Sequence, residues 1–207
     1  MTCILGFISQ KGGVGKSTLS RAVASEISKN KLSVKLSDLD VQQATTTNWH
    51  RRRLIADIKS NISIECHKTV SQSLNSLHDH DVLIIDGPAR ASRGTLDIAQ
   101  NANLVIQPTG ASLDDLEPAV LTFHELIKAG IPKDKLVFAL MRVGTQAEEA
   151  DCRSYIEKSG FCTLSGCVFE KPAYRLAQNK GLSITETKYV SLNKSAEILI
   201  QSIIDKI

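Results

Sequence analysis

Proline and cysteine are scarce in this chain, five of each in 207 residues, and it holds no internal repeat and no low-complexity run. Alongside 42% hydrophobic and 23% charged residues, these absences exclude a disordered or fibrous polypeptide. What remains is a globular chain long enough to bury a core, expected as a single domain over residues 1–207. A long hydrophobic run is missing too. The longest uncharged stretch, between Asp97 and Asp114, is interrupted by Gln100, Asn101, Asn103, Gln107 and Pro108, which makes it too polar to span a bilayer. The opening segment, MTCILGFISQKGG, lacks a charged leader and has too short an apolar run for a signal peptide, so a cytoplasmic location is expected. Cys3, Cys66, Cys152, Cys162 and Cys167 are an odd set with no C-x-x-C pair and no histidine at metal spacing. Neither a disulfide framework nor a zinc site is expected, and the thiols should be reduced.

The net charge is only +3, and its placement says more than its size. From Lys171 to Ile207, six basic residues (Lys171, Arg175, Lys180, Lys188, Lys194, Lys206) face three acidic ones, Glu186, Glu197 and Asp205, which accounts for the whole excess. A second concentration is Arg51-Arg52-Arg53. Such clusters fit a polyanion footprint, and they fit a solvated helix face equally well.

Strand and helix signals alternate along the chain. Cys3 to Ile8 is a short, nearly all-apolar run, as suits a strand buried on both faces of a parallel sheet. After a break at Gln10 to Gly15, Ser17 to Lys29 places Leu19, Ala22, Val23 and Ile27 at helical spacing. Further strand candidates are Val34 to Leu36, Ile62 to Cys66, Val82 to Ile85, Leu104 to Ile106 and Leu136 to Met141, with helical stretches between most of them. Ser112, followed three residues later by Asp115, reads as a capping-box start to a helix carrying Leu116, Val120, Phe123 and Ile127, ended by Gly130-Ile131-Pro132. This alternation implies an α/β fold, a mostly parallel β-sheet flanked by helices on both faces.

Gln10-Lys11-Gly12-Gly13-Val14-Gly15-Lys16-Ser17-Thr18 lies between the first strand and the first helix, the setting a phosphate loop requires. Glycines let backbone N–H groups turn inward around phosphate oxygens, and the helix N-terminus adds partial positive charge. Lys16 is placed to reach the outer phosphates and the Ser17 hydroxyl to ligate Mg²⁺. The loop departs from the GxxxxGK[ST] pattern, with Gln10 where the first glycine stands and an additional Lys11 before the double glycine. Val82-Leu83-Ile84-Ile85 runs into Asp86, and a carboxylate at the carboxyl end of a parallel strand beside such a loop is placed to hold the Mg²⁺ shell with Ser17. Asp38 and Asp40 follow the second strand candidate. Either can orient an attacking water or serve the metal shell, or the pair can be an ordinary acidic loop.

Together KGGVGKST with its extra lysine, DLDVQ, IIDGP and LVIQPTGASLDDLEP resemble the ParA/MinD family of ATPases with a deviant Walker A loop, in particular its small plasmid-partition members. The similarity extends to Thr47-Asn48-Trp49, to Tyr174-Arg175 and to Gly181-Leu182-Ser183-Ile184-Thr185-Glu186, nearly the whole chain. The resemblance implies a P-loop NTPase fold that binds ATP and Mg²⁺ through Lys11, Gly12, Gly13, Val14, Gly15, Lys16, Ser17 and Thr18, with Ser17, Asp38 and Asp86 on the metal side. It implies slow ATP hydrolysis in a nucleotide-dependent homodimer in which Lys11 reaches the partner's ATP and Asp40 positions the hydrolytic water. Val41 stands where the family usually has proline. The partners implied are non-specific DNA, a nucleoid location, and a ParB-like or small centromere-binding protein that triggers hydrolysis. Lys171, Arg175 and Lys180, then Arg51, Arg52 and Arg53, are the candidate DNA contacts. No helix-turn-helix precedes the phosphate loop, so operator binding is not expected. Arg90 and Arg93 have no assigned role. Two alternatives remain: a MinD-like ATPase positioning a membrane or protein cargo, and a small metabolic enzyme on the same loop. A membrane reading wants a cationic stripe on the last helix, where Ala196, Leu199, Ile200, Ile203 and Ile207 instead line one side and Glu197, Asp205 and Lys206 the other, which favours core packing and no membrane contact.

Overall fold

In the computed structural model, which describes residues 2–75, 77–89 and 92–207, the first strand β1 (Cys3–Ser9) leads through the glycine loop into helix α1 (Lys16–Lys29). There follow β2 (Val34–Asp38), α2 (Thr45–Ile55), β3 (Ile62–Cys66), the short α3 (Val70–Leu74), β4 (Val82–Ala89) and α4 (Ser92–Asn101). The second half continues with β5 (Leu104–Thr109), α5 (Leu113–Lys128), β6 (Leu136–Val143), α6 (Gln146–Lys158), β7 (Val168–Phe169), α7 (Pro172–Asn179) and α8 (Val190–Ile204). All seven strands run parallel, in the order β3-β2-β4-β1-β5-β6-β7. The six sequence-predicted strands are present, several longer than expected, and β7 is an addition that its two residues gave no pattern to reveal.

A period of two along each strand builds two cores, one on each face of the sheet. Val82 and Ile84 join Leu5, Phe7, Leu104 and Ile106 on the face covered by α1 and α8, while Leu83, Ile85 and Val105 join Ile8 on the face covered by α4, α5 and α6. On β6 the alternation is regular through Val137, Ala139 and Met141 against Leu136, Phe138 and Leu140, and then slips. Val143 falls with the even-numbered residues, because Arg142 takes a left-handed backbone (φ 58°) and the register with β7 shifts between Met141 and Val143. Ala196, Leu199, Ile200 and Ile203 of α8 are buried, as core packing requires, but Ile207 lies past the end of the helix and is 51% exposed, because the core contacts stop where the helix does.

One local expectation fails. Ser112 is the N-cap of α5, but its hydroxyl makes no capping bond and Asp115 does not close a capping box; the Asp115 carboxylate is turned instead toward Lys11. An ion pair offered by a neighbouring loop competes with the helix's own first turn, and here it wins.

The topology fixes where ligands bind. β1 lies between β4 and β5: the chain runs from β1 to β2, β3 and β4 on one side and then crosses to β5 on the other, and the crevice at the carboxyl ends of the strands beside this reversal is where the glycine loop, Asp38 and Asp86 converge.

Candidate functional site

The loop after β1 adopts left-handed conformations at Gly13 (φ 83°) and Gly15 (φ 100°), the latter being the N-cap of α1. Side chains with a Cβ resist these angles, so the glycines let the loop's amides turn toward a common centre at a helix N-terminus. The loop forms one wall of a cleft of about 500 Å³, whose other walls include Arg21, Asp40, Gln43, Met141, Arg142, Glu170, Lys171, Arg175 and Gln178. That volume suits a nucleotide.

Lys16 is buried and its Nζ donates to Asp86 Oδ1 at 2.9 Å, joining the loop to the end of β4. The other Asp86 oxygen accepts from the Thr46 hydroxyl at 2.9 Å, and that hydroxyl in turn accepts from Arg21 Nε at 3.0 Å. Thr46, at the start of α2, therefore ties the two strand-end carboxylates to the first helix. Its N–H also donates to Asp38 Oδ2 at 3.1 Å. Asp38 lies beside Asp86 in the register of β2 and β4, and it accepts further N–H groups from Asp40 at 3.1 Å and Thr47 at 3.4 Å. Burial, and then the Asp86 charge, push the Asp38 carboxyl above its usual range, while those N–H groups pull it back. Burial lowers the Arg21 guanidinium to about 10, an effect that Asp86 and Asp38 offset in part.

Asp40 occupies the turn between β2 and α2, half-buried and on the cleft wall. Its Oδ1 accepts the Gln43 N–H, at 3.2 Å, while its carbonyl accepts from Ala44. Val41 beside it is exposed, and the turn closes with Ala44 in a left-handed conformation (φ 45°). The two carboxylates differ in their surroundings. Asp38 is spent on backbone N–H groups that hold the turn, and Asp40 is the carboxylate presented to the cleft. Ser17 lines the cleft and Asp86 is bound to Lys16 beside it; both are hard oxygen donors of the kind that fit a Mg²⁺ shared with phosphate oxygens.

Lys11 points elsewhere. Its Nζ pairs with Asp115 Oδ1 at 2.5 Å, with the lysine half exposed.

The six candidate polyanion contacts separate by burial. Lys171, Arg175 and Lys180 are exposed around α7, with Lys171 and Arg175 on the rim of the same cleft and Arg175 paired with Glu170 at 2.7 Å. Arg51 is exposed and Arg52 half-buried. Arg53 is a correction: it is 2% exposed, stands over the Trp49 ring at 5.3 Å, and holds both Glu186 oxygens at 2.6 and 2.8 Å. Its α2 backbone meets Gly181 so closely that a Cβ at 181 would run into the Arg53 main chain. Arg53 is a structural tie between α2 and the 181–186 loop, and it is out of reach of a polyanion. Burial raises the Glu186 carboxyl, but Arg53 and the Ser183 N–H outweigh it and hold the group below its usual value. Arg53→Ala is expected to cost about 3 kcal/mol by leaving the part-buried Glu186 carboxylate without its cation, seen as a thermal midpoint roughly 6–12 °C lower. Arg51→Ala should leave the midpoint unmoved, and equal melting of the two variants would contradict this division.

Arg90 lies outside the described residues, and Arg93 is exposed in the first turn of α4. Sequence reasoning missed Thr46, Arg21, Arg142 and Glu170. Of these only Arg142 carries a linear signal, a charged residue at the end of an apolar strand.

A family model described as the CobQ/CobB/MinD/ParA nucleotide binding domain matches residues 5–184. Over 45 residues the chain is 53% identical to an uncharacterised protein of Borreliella burgdorferi, a match spanning 22% of this chain and 18% of that relative. Among solved structures, a plasmid partition protein from Borrelia burgdorferi bound to AMPPNP superposes with a TM-score of 0.76 at 17% identity, covering 100% of both chains. The cell division ATPase MinD of Pyrococcus furiosus gives 0.75 at 17% identity over 100% of both. Cyanothece McdA in complex with ATP gives 0.76 at 16% identity, over 98% of this chain and 96% of that one. At such identities the likeness is one of fold.

Proposed function

This chain belongs to the CobQ/CobB/MinD/ParA nucleotide-binding family, and from that premise we propose that it is a ParA-type partition ATPase. In this reading ATP closes a homodimer, the dimer binds DNA of any sequence, and a partner protein triggers hydrolysis and release, so that a plasmid or other cargo is segregated along the nucleoid.

The observation that carries the proposal is the separation of the two loop lysines. Lys16 is turned inward on the buried Asp86, whereas Lys11 stands outside the loop, half exposed, on Asp115. Lys11 lies on the edge of the cleft with its side chain half exposed, so it can reach a phosphate group presented by a second molecule. Exposed ion pairs contribute about 0–1 kcal/mol, so Asp115 is a weak tether that an incoming triphosphate can displace. Within one subunit, phosphates entering the loop draw Lys16 away from Asp86. The freed carboxylate oxygen and the Ser17 hydroxyl would then hold Mg²⁺, which neutralises the phosphate charge. Asp40 accepts a hydrogen bond from the attacking water and holds it in line.

A membrane-positioning reading is weaker, because the apolar side of α8 is committed to the core. Among the described residues no helix is long and apolar enough to cross a membrane.

Light scattering tests dimerisation: the wild type should double in mass with ATP and Mg²⁺, and Lys11→Ala should bind ATP yet remain monomeric. A wild type that stays monomeric at saturating ATP removes the sandwich. A salt titration of fluorescent random-sequence DNA tests the switch. The ATP state should bind, the ADP and nucleotide-free states weakly, with log affinity falling linearly in log salt at about −0.9 per phosphate neutralised. Lys180→Glu, on the exposed end of α7, should weaken binding on every sequence and flatten that slope by about one contact. Equal affinity in all three nucleotide states, or binding indifferent to salt, would overturn the DNA reading.

A further inference from the structure

Arg142 combines three features that packing alone does not explain. It is a non-glycine residue in the left-handed region (φ 58°), it sits inside the regular run of β6, and it marks the point where the two-residue alternation of that strand slips. A side chain with a Cβ resists that backbone angle, so the conformation persists only where surrounding contacts enforce it. The contacts are specific. Arg142 Nη1 donates to the carbonyl of Gly13 in the phosphate loop at 2.7 Å, and its Nε donates to Glu170 Oε2 at 2.8 Å. Glu170 Oε1 accepts from Arg175 at 2.7 Å, so one carboxylate holds both guanidinium groups at the cleft wall.

The neighbouring residue shows what the slip achieves. Met141 is buried under the loop, where a Cβ on Gly15 would lie 3.1 Å from its terminal methyl. In an unbroken strand residues 141 and 142 would face opposite sides of the sheet. With the left-handed bulge both reach the phosphate loop, Met141 below Gly15 and Arg142 on Gly13.

We propose that Arg142 is a positioning residue for nucleotide: by holding the Gly13 carbonyl outward it fixes the Gly13–Val14 peptide plane, so that the Val14 N–H on the opposite edge of that plane faces the phosphates. A peptide is planar, so capture of its C=O sets the direction of its N–H. A preorganised nest loses less entropy when the anion arrives than a loop that must order around it. The guanidinium also adds a cation to the cleft wall, and Glu170 holds it there.

This inference rests on the reading of the cleft as an ATP site, and its test separates the two. Titrating ATP with Mg²⁺ into the wild type, Arg142→Met, Arg142→Gly and Arg142→Lys, with the melting temperature of each nucleotide-free protein taken in parallel, should give a split. The Met and Gly variants are expected to bind ATP about tenfold more weakly, as for loss of a charged hydrogen bond. The Lys variant should recover part of that affinity. Nucleotide-free Arg142→Gly should melt within about 3 °C of wild type, because relief of the left-handed backbone offsets exposed pairs of small worth. A merely structural arginine would instead lose stability and affinity together. Unchanged affinity in Met and Gly, or a loss that follows melting of the nucleotide-free protein, overturns the inference. A wild type that binds no ATP overturns the proposed function, and this inference with it.

Discussion

Lys16→Ala should lose ATP affinity by on the order of 10²- to 10³-fold, the cost of removing a buried charged partner from a phosphate site. The structure adds a consequence that the loop motif does not contain. Lys16 is the cation bound to Asp86, whose side chain is 1% exposed. Removing the lysine leaves a buried carboxylate without its cation, held by the Thr46 hydroxyl among the described residues, so the nucleotide-free protein should also be destabilised by about 3 kcal/mol. Adding Asp86→Asn to Lys16→Ala removes the unpaired charge. The double variant should regain much of the melting temperature while remaining unable to bind ATP, which separates the two roles of the lysine. Isothermal titration and thermal unfolding of the three proteins decide it. If Lys16→Ala melts like wild type, the Lys16–Asp86 pair contributes nothing to the resting fold.

Asp40→Ala is expected to bind ATP and dimerise but to turn over about 10²- to 10⁴-fold more slowly, the usual cost of losing a group that orients or deprotonates the nucleophile. The folded state should tolerate it, since the carboxylate accepts one exposed N–H from Gln43 and the turn keeps its backbone bond from Ala44 to Asp40. Asp38→Ala should behave differently. It strips a buried acceptor from the N–H groups of Asp40, Thr46 and Thr47, so stability and turnover fall together. Single-turnover hydrolysis beside a melting curve distinguishes the two carboxylates. Wild-type turnover in Asp40→Ala would move the water-positioning role to Asp38 or to a residue of the partner subunit.

Features carried by contiguous residues are legible in the amino-acid order alone. An all-apolar run, a glycine loop and a helix at 3.6-residue spacing identify themselves without reference to the rest of the chain. Repeating that unit leaves a parallel sheet with its functional loops at the carboxyl ends of the strands. The phosphate loop, Asp86 and the acidic turn at Asp38 and Asp40 were legible for that reason. So was the burial of one side of α8. Pairings between residues distant along the chain are not legible in that order, because charge and shape meet only after the elements pack. Asp86 lies 70 residues from Lys16, and Gly13 lies 129 from Arg142. Arg51, Arg52 and Arg53 are indistinguishable as letters, yet the turn of α2 puts Arg53 alone against Glu186, 133 residues away, and Arg51 in solvent. Ser112 and Asp115 read as a capping box, yet the Asp115 carboxylate pairs with Lys11, about a hundred residues back in the chain. Periodicity reports which face of an element is buried; it carries no information about which polar group waits on the other side, and that choice is made by desolvation and geometry in the assembled fold.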